Sequence, residues 1–219
     1  MSTDALKHAL YQSVAKLAQA LASGNRLQLL EFIAQGERSV DELAAMTGLA
    51  VANASQHLQA LKQAGLVVAR KEGQRVYYAL AGDDVALLHQ VLRRVAETRV
   101  AEVERLVRDF IGHRDELEPV PARELLERAK KGLVTVLDVR PAEEYAAGHV
   151  PGAVNVPLDK LEGYLAKLPK RREVVAYCRG PYCLMSFEAV AALRKRGLKA
   201  RRLVDGFPEW RAAGLPVER

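Results

Sequence analysis

Cysteine is almost missing from this sequence. Two occur in 219 residues, and both fall in the single stretch VVAYCRGPYCLMSFEAV (174–190). A small disulfide-built scaffold needs several pairs, so that class is excluded, and two thiols five positions apart point to chemistry more than to stapling. Long apolar runs are missing as well: nothing approaches the ~20 residues that a membrane-spanning helix requires. The opening MSTDALKHALYQSVAKLAQA alternates polar and apolar residues at helical spacing and carries an early acid, which is not the pattern of a secretory signal. There is no internal repeat, no low-complexity tract and little aromatic content (5%). What remains, 49% hydrophobic and 27% charged, is the composition of a soluble globular protein long enough for one large domain or two small ones. A cytoplasmic location is expected, with no membrane partner.

A charge excess is missing from the first half. The net charge is +6, which on its own suggests a polyanion partner. Yet residues 1–118 hold 14 basic and 15 acidic side chains, and residues 119–219 hold 19 and 12. Overall charge is therefore poor evidence for nucleic acid, and local patches have to carry that inference.

Helical period dominates the first half. An amphipathic helix covers about Leu6–Leu21, and NRLQLLEFIAQ gives a second with Leu27, Leu30 and Ile33 on one stripe. SVDELAAMTG opens with Ser39 as N-cap and Glu42 three residues on, the pair a capping box needs, and its pattern stops at Gly48. LAVANASQHLQALKQAG follows, then LVVARKEGQRVYYAL, two alternating strands around the turn Lys71-Glu72-Gly73-Gln74. One long helix, about Asp83–Ile111, completes the half. GHRDELEPVP is charged, lacks periodicity and ends in two prolines, as a linker does. We assign residues 1–111 to a mainly α-helical domain, 112–120 to the linker and 121–219 to a second, α/β domain.

Helix, turn at MTGLA, helix and basic hairpin are the plan of a winged helix-turn-helix, with its second helix in a major groove and its wing across phosphates. On a helical wheel Val51, Ala54, Leu58, Leu61 and Gly65 share an inward face. Asn53, Gln56, His57, Gln59 and Gln63 then point away, and their amides and imidazole suit base edges. Around the wing, Arg70, Lys71, Arg75 and Tyr77 can meet phosphate oxygens. An ordinary surface helix would show the same polar face. The order of elements, more than the helix, points to double-stranded DNA.

NASQHLQALKQAGLVVARKEGQRVYYAL resembles the recognition helix and wing of ArsR-type transcriptional repressors, and the likeness covers about residues 5–100. It implies a homodimer built on the first and last helices of the domain, a palindromic operator, and Ser55, Gln56 and His57 facing DNA. The wheel puts Ser55 on the flank of that face. Many metal-sensing members carry a cysteine-containing box. Here ERSVDEL places Ser39 and Asp41 where thiolates would stand, and soft metals need thiolates. His89 reads as a structural side chain. Neither a metal nor a cofactor is expected.

The second half alternates strand and helix. LVTVLDVR, GAVNVPL, EVVAYC and ARRLVD read as strands, with helical segments such as ARELLERAKKG and FEAVAALRKRG between them, so a parallel sheet covered on both faces is expected. A strand ending in Cys178, a tight loop with Gly180 and Pro181, and a following helix place the sulfur near backbone N–H groups and the positive end of a helix dipole. Both favour thiolate, the nucleophilic form, and Arg179 adds to this.

LDVRPAEEYAAGHVPGAVNVPL, with Asp138, Arg140 and Glu143, and the closing DGFPEWRAAGLPVE resemble a single rhodanese domain, from about Pro119 to the end. The resemblance implies a sulfane sulfur carried as a persulfide on Cys178, with Arg179, Gly180, Tyr182, Asp138 and Arg140 as further site residues. The loop departs from the family's Cys-Arg-x-Gly-x-Arg: it reads Cys178-Arg179-Gly180-Pro181-Tyr182-Cys183, with a cysteine in place of the second arginine. That weakens anion binding, and thiosulfate with it. The residue six beyond Cys178 is Leu184, so the guanidinium clamp of Cys-x5-Arg phosphatases and arsenate reductases is missing. Cys183 is either a second thiol that attacks the persulfide or a small buried hydrophobe at the helix start.

Together these readings lead to a DNA-binding transcriptional regulator whose rhodanese domain senses or handles sulfane sulfur from a donor such as polysulfide or thiosulfate. A sulfurtransferase that uses the winged domain for tethering or dimerisation is the first alternative. A metalloid-responsive repressor is weaker, because two thiolates lack a third ligand.

Overall fold

The computed structural model describes residues 2–112, 119–169 and 171–219. The chain forms two compact units, Met1–His89 and Gln90–Arg219.

In the first unit α1 (Thr3–Leu21) starts on Ser2, whose hydroxyl accepts from the Ala5 N–H at 3.3 Å. Next come α2 (Gly24–Ile33), β1 (Arg38–Ser39), α3 (Val40–Thr47) and α4 (Val51–Gln63). The expected capping box is present: Glu42 N–H donates to the Ser39 hydroxyl, and the Ser39 N–H donates to the Glu42 carboxylate at 2.7 Å. These bonds hold the Glu42 carboxyl below its ordinary value. Gly48, at φ 68°, ends α3 in the left-handed conformation that glycine adopts without penalty. Leu29, Leu30, Ile33, Leu43, Leu58, Leu61, Leu66 and Tyr78 form the core. Each buried leucine contributes about 1.5–3 kcal/mol.

Strands β2 (Val67–Glu72) and β3 (Arg75–Leu80) pair antiparallel with Glu72 opposite Arg75, so the turn is confined to Gly73-Gln74. The two-residue strand β1 adds to the other side of β3, Arg38 opposite Tyr78 and Ser39 opposite Tyr77. Two positions of the α4 wheel differ from expectation. Ala54, Leu58 and Leu61 are fully buried, but Val51 is 50% exposed because it is the first helical residue, beyond the reach of the core. Gly65 lies past the helix end, exposed, at φ 74°.

Helix α5 (Asp83–Arg99) begins in the first unit and ends in the second. The long helix expected over 83–111 is interrupted. Val100 is extended (φ −111°, ψ 105°), α6 (Ala101–Val107) restarts after it, and a π turn covers Arg108–Gly112. The Thr98 hydroxyl donates back to the carbonyls of Arg94 (2.9 Å) and Val95 (3.3 Å), a bond that bends helices, and β-branched Val100 is a poor residue for repairing the turn. Residues 113–118, most of the expected linker, lie outside the described residues.

The rest of the second unit comprises α7 (Ala122–Lys130), β4 (Val134–Asp138), α8 (Ala142–Ala147), β5 (Val154–Asn155), α9 (Leu161–Tyr164), β6 (Glu173–Tyr177), α10 (Leu184–Lys195), β7 (Ala200–Arg202) and α11 (Phe207–Ala212). The strands form a parallel sheet in the order β5-β4-β6-β7. Side chains alternate along β6, so Val174, Ala176 and Cys178 enter one apolar layer with Leu193 of α10. Val175 and Tyr177 enter the other with Leu125, Phe207 and Trp210. Cys178 therefore stands at the end of a central strand, with its position set by packing on both sides.

Candidate functional site

Cys178 is the first residue after β6 and is 2% exposed. The loop beyond it is tight: the Cys183 N–H donates to the Gly180 carbonyl at 3.1 Å, and the Ser186 hydroxyl donates to the Cys183 carbonyl at 3.1 Å. Cys183 is the N-cap of α10, so it is Cys183, rather than Cys178, that occupies the helix N-terminus. Cys178 and Cys183 are joined as a disulfide with their Cα atoms 6.3 Å apart, inside the separation such a bridge accepts. The two cysteines of the chain thus meet in one loop.

The segment after β7 supports this loop. The Phe207 N–H donates to the Cys178 carbonyl at 3.1 Å. A Cβ at Gly206 would overlap the backbone of Arg179 and Gly180, so only glycine permits this approach. Glu209 caps α11 by accepting from the Gly206 N–H at 3.0 Å, and burial pushes its carboxyl above the ordinary range, with Arg93 opposing.

Arg179 is paired with a carboxylate. Its Nε donates to both oxygens of Glu144 (3.0 and 3.1 Å) and its terminal NH2 to one of them (2.8 Å), with the Glu144 side chain only 1% exposed. Glu143, named with the motif in the sequence, is exposed, and Glu144 beside it makes this pair. Asp138 and Arg140 are both fully buried and pair with each other at 2.6 Å. Asp138 also accepts from the Tyr177 hydroxyl at 2.5 Å, and Arg140 donates to the Gly148 carbonyl at 2.8 Å. Burial and the Asp138 charge push the Tyr177 hydroxyl far above its usual range, so it remains a donor. This cluster braces the strand ends beneath the loop. Gly180 is buried.

Tyr182 is 37% exposed, and its hydroxyl donates to Glu97 Oε1 at 2.6 Å. The Arg93 guanidinium lies 5.4 Å from the centre of the Tyr182 ring and pairs with Glu209 at 3.4 Å and Asp205 at 3.7 Å. Nothing in the local sequence announces Glu144, Gly206, Arg93 or Glu97 as neighbours of the loop.

In the first unit Asn53, Gln56, Gln59 and Gln63 are exposed along α4, while Ser55 and His57 are half-buried. His57 Nε2 lies 3.4 Å from Asn25 Nδ2 on α2. On the wing Lys71 and Arg75 are exposed. Hydrogen bonding to Tyr77 holds Arg75 above its ordinary pKa. Arg70 is committed to carboxylates, 2.7 Å from Glu37 and 2.5 Å from Glu72, and its guanidinium lies 4.9 Å from the Tyr77 ring centre. Ser39 and Asp41, where metal-sensing members would place thiolates, cap and open α3. Among the described residues no three His, Cys, Asp or Glu side chains are grouped to hold a metal ion, and no helix is long and apolar enough to cross a membrane.

A helix-turn-helix with a wing, followed by a parallel sheet whose central strand delivers a cysteine loop, defines a winged-helix regulator joined to a rhodanese-like domain. Residues 23–68 match the family described as bacterial regulatory protein, arsR family, and residues 121–213 match the rhodanese-like domain. The chain is 49% identical to the HTH-type transcriptional regulator Rv0324 of Mycobacterium tuberculosis over 97% of its own length and 93% of that protein's. It is 33% identical to a sulfurtransferase of Allochromatium vinosum, covering 38% of this chain and 78% of that one. A homodimeric winged helix-turn-helix DNA-binding domain from Mycobacterium bovis, solved in solution, is 48% identical and matches 46% of this chain and 91% of that one, with a TM-score of 0.42. The chain belongs to the arsR family of bacterial regulatory proteins, in a form that carries a C-terminal rhodanese-like domain.

Proposed function

We propose that this regulator binds an operator as a homodimer and that its rhodanese loop reports sulfane sulfur through Cys178 and Cys183. The pairing of these two cysteines across one loop, Cα atoms 6.3 Å apart, carries the reading. The Cys178 thiolate attacks the terminal sulfur of a persulfide donor R–S–SH, becoming Cys178–S–SH and releasing R–S⁻. The Cys183 thiolate then attacks the Cys178 sulfur, forming the Cys178–Cys183 bond and expelling hydrosulfide. Proximity favours this second step over reaction with outside thiols. The commitment of Arg179 to Glu144, together with cysteine in place of the second loop arginine, speaks against a dianionic donor such as thiosulfate and for a persulfide or polysulfide.

Dimerisation is supported by apolar side chains left on helix surfaces: Leu6, Leu10 and Val14 on α1, and Leu88, Leu92 and Val95 on α5. Such stripes at helical spacing need a partner, and a relative's winged domain is homodimeric. Polysulfide treatment followed by intact mass tests the chemistry. Wild type should lose two hydrogens, Cys183→Ser should retain one added sulfur, and Cys178→Ser should show neither change. An added sulfur on Cys178→Ser but absent from Cys183→Ser would overturn the assignment.

A catalytic sulfurtransferase is the second reading, favoured by the likeness to a protein of that name. It requires thiocyanate formation from thiosulfate and cyanide over many turnovers by wild type. On the first reading that turnover is low and rises in Cys183→Arg, which restores a loop cation.

A further inference from the structure

The bridged loop grips the second half of α5. Tyr182 is one residue from Cys183 and its hydroxyl ends on Glu97 Oε1 at 2.6 Å. One turn earlier on the same helix, Arg93 is 13% exposed at its side chain and lies between the Tyr182 ring and the carboxylates of Glu209 and Asp205. Those carboxylates belong to the segment whose Gly206 presses on the loop backbone and whose Phe207 N–H holds the Cys178 carbonyl. The cysteine pair, the loop tyrosine, the Gly206–Glu209 segment and two side chains of α5 therefore form one continuous set of contacts, all within the unit Gln90–Arg219.

We infer that Tyr182, Glu97 and Arg93 form a redox-set latch: with Cys178 and Cys183 bridged, Tyr182 is fixed and Gln90–Arg99 is held, and with the bridge open Tyr182 is released and that half of α5 loosens. The inference rests on the reading of the two cysteines as the responsive pair and gives it a mechanical output. Closing the bridge removes two electrons and two protons from the thiols, supplied to the donor chemistry above or to a thiol oxidant. Opening it returns them from a dithiol, which is itself oxidised to a disulfide. A bridge between positions 178 and 183 leaves Tyr182 few conformations, and without it the loop loses its covalent tie and keeps only non-covalent ones, such as the Cys183 N–H bond to Gly180 and the Phe207 N–H bond to Cys178. Helix α5 starts at Asp83, with only two residues between it and the end of wing strand β3 at Leu80, so a change in its order is well placed to reach the proposed DNA-binding elements along the chain.

Amide hydrogen exchange on the full chain tests the latch. Wild type bridged with diamide and wild type reduced with dithiothreitol are compared over peptides covering 90–99, with intact mass confirming each state. Exchange there should be roughly tenfold slower in the bridged protein, the scale of one hydrogen bond to a charged group. Bridged Tyr182→Phe, which keeps the ring and loses the hydroxyl, should exchange as the reduced wild type does. Glu97→Ala, a helix-favouring change, should do the same. Equal rates in bridged and reduced wild type, or a full difference persisting in both variants, would overturn the latch. Because diamide makes the bridge without sulfane sulfur, a latch that works here while polysulfide fails to bridge the cysteines would refute the sulfur reading and leave the latch standing. A sulfur-made bridge that alters DNA affinity with unchanged exchange over 90–99 would do the opposite.

Discussion

Arg179 and Glu144 form the ion pair on which the proposed choice of sulfur donor rests. A guanidinium following a nucleophilic cysteine would ordinarily attract an anion to it, but here it forks onto a carboxylate whose side chain is 1% exposed. Breaking such a pair from one side leaves a charge poorly solvated, which costs several kcal/mol. Glu144→Gln should therefore lower unfolding free energy by about 3 kcal/mol in urea titration, and Arg179→Met, which strands the more deeply buried Glu144 carboxylate, should cost at least as much. A loss under 1 kcal/mol for Glu144→Gln would mean the pair is screened and Arg179 is free for ligands. Glu173 offers a pH test. Burial opposes its charge, but hydrogen bonds from Arg201 and Arg128 prevail and hold its carboxyl below the ordinary 4.5. A carboxyl depressed on folding stabilises above its unfolded value and loses that contribution as pH falls through the folded one. Thermal midpoints should therefore fall steeply below pH 4.5, and Glu173→Gln should flatten that fall while lowering the midpoint at neutral pH. An unchanged profile would remove Glu173 from the account.

At the scale of elements, the proposed operator binding gives different work to the wing and to the helix before it. Gln56→Ala and His57→Ala should each cost about 1–3 kcal/mol on a specific duplex and little on random DNA, because base contacts discriminate. Arg75→Ala should weaken both equally and reduce the salt slope by about one. Arg70→Ala should do neither, since its guanidinium is already held by Glu37 and Glu72. Equal losses for all four by fluorescence anisotropy would mean that α4 is not the reading element. Such a division between Arg70 and Arg75 cannot be seen in the sequence, where both are basic residues near a turn. Features within one turn or strand are legible: the Ser39–Glu42 capping box, the Gly73-Gln74 turn and the buried Ala54, Leu58 and Leu61 all follow from spacing of three or four residues or from alternation. Features that need tertiary neighbours are not. Strand β1 has two residues and no period, Val51 is exposed because the core ends before it, and Glu144 reaches Arg179 across 35 positions. The break at Val100 lies between: Thr98 and Val100 are visible signals, but only the observed back-bonding shows that they win over helical period.

For the whole molecule, the two cysteines and the winged helix have to be parts of one device if the regulator is to respond to sulfur. A response requires that the bridged and open loops differ in affinity for DNA, and a coupling of 1–3 kcal/mol is the usual scale. The direct measurement is binding of a duplex, selected from a random pool by the reduced protein, to reduced and polysulfide-treated protein in parallel for wild type and Cys183→Ser. Wild type should change its Kd by about tenfold or more on treatment, while Cys183→Ser, which takes up sulfur and cannot close the bridge, should hold the reduced-state Kd throughout. A wild type with the same Kd before and after treatment, or a Cys183→Ser protein that shifts as far as wild type, would contradict it.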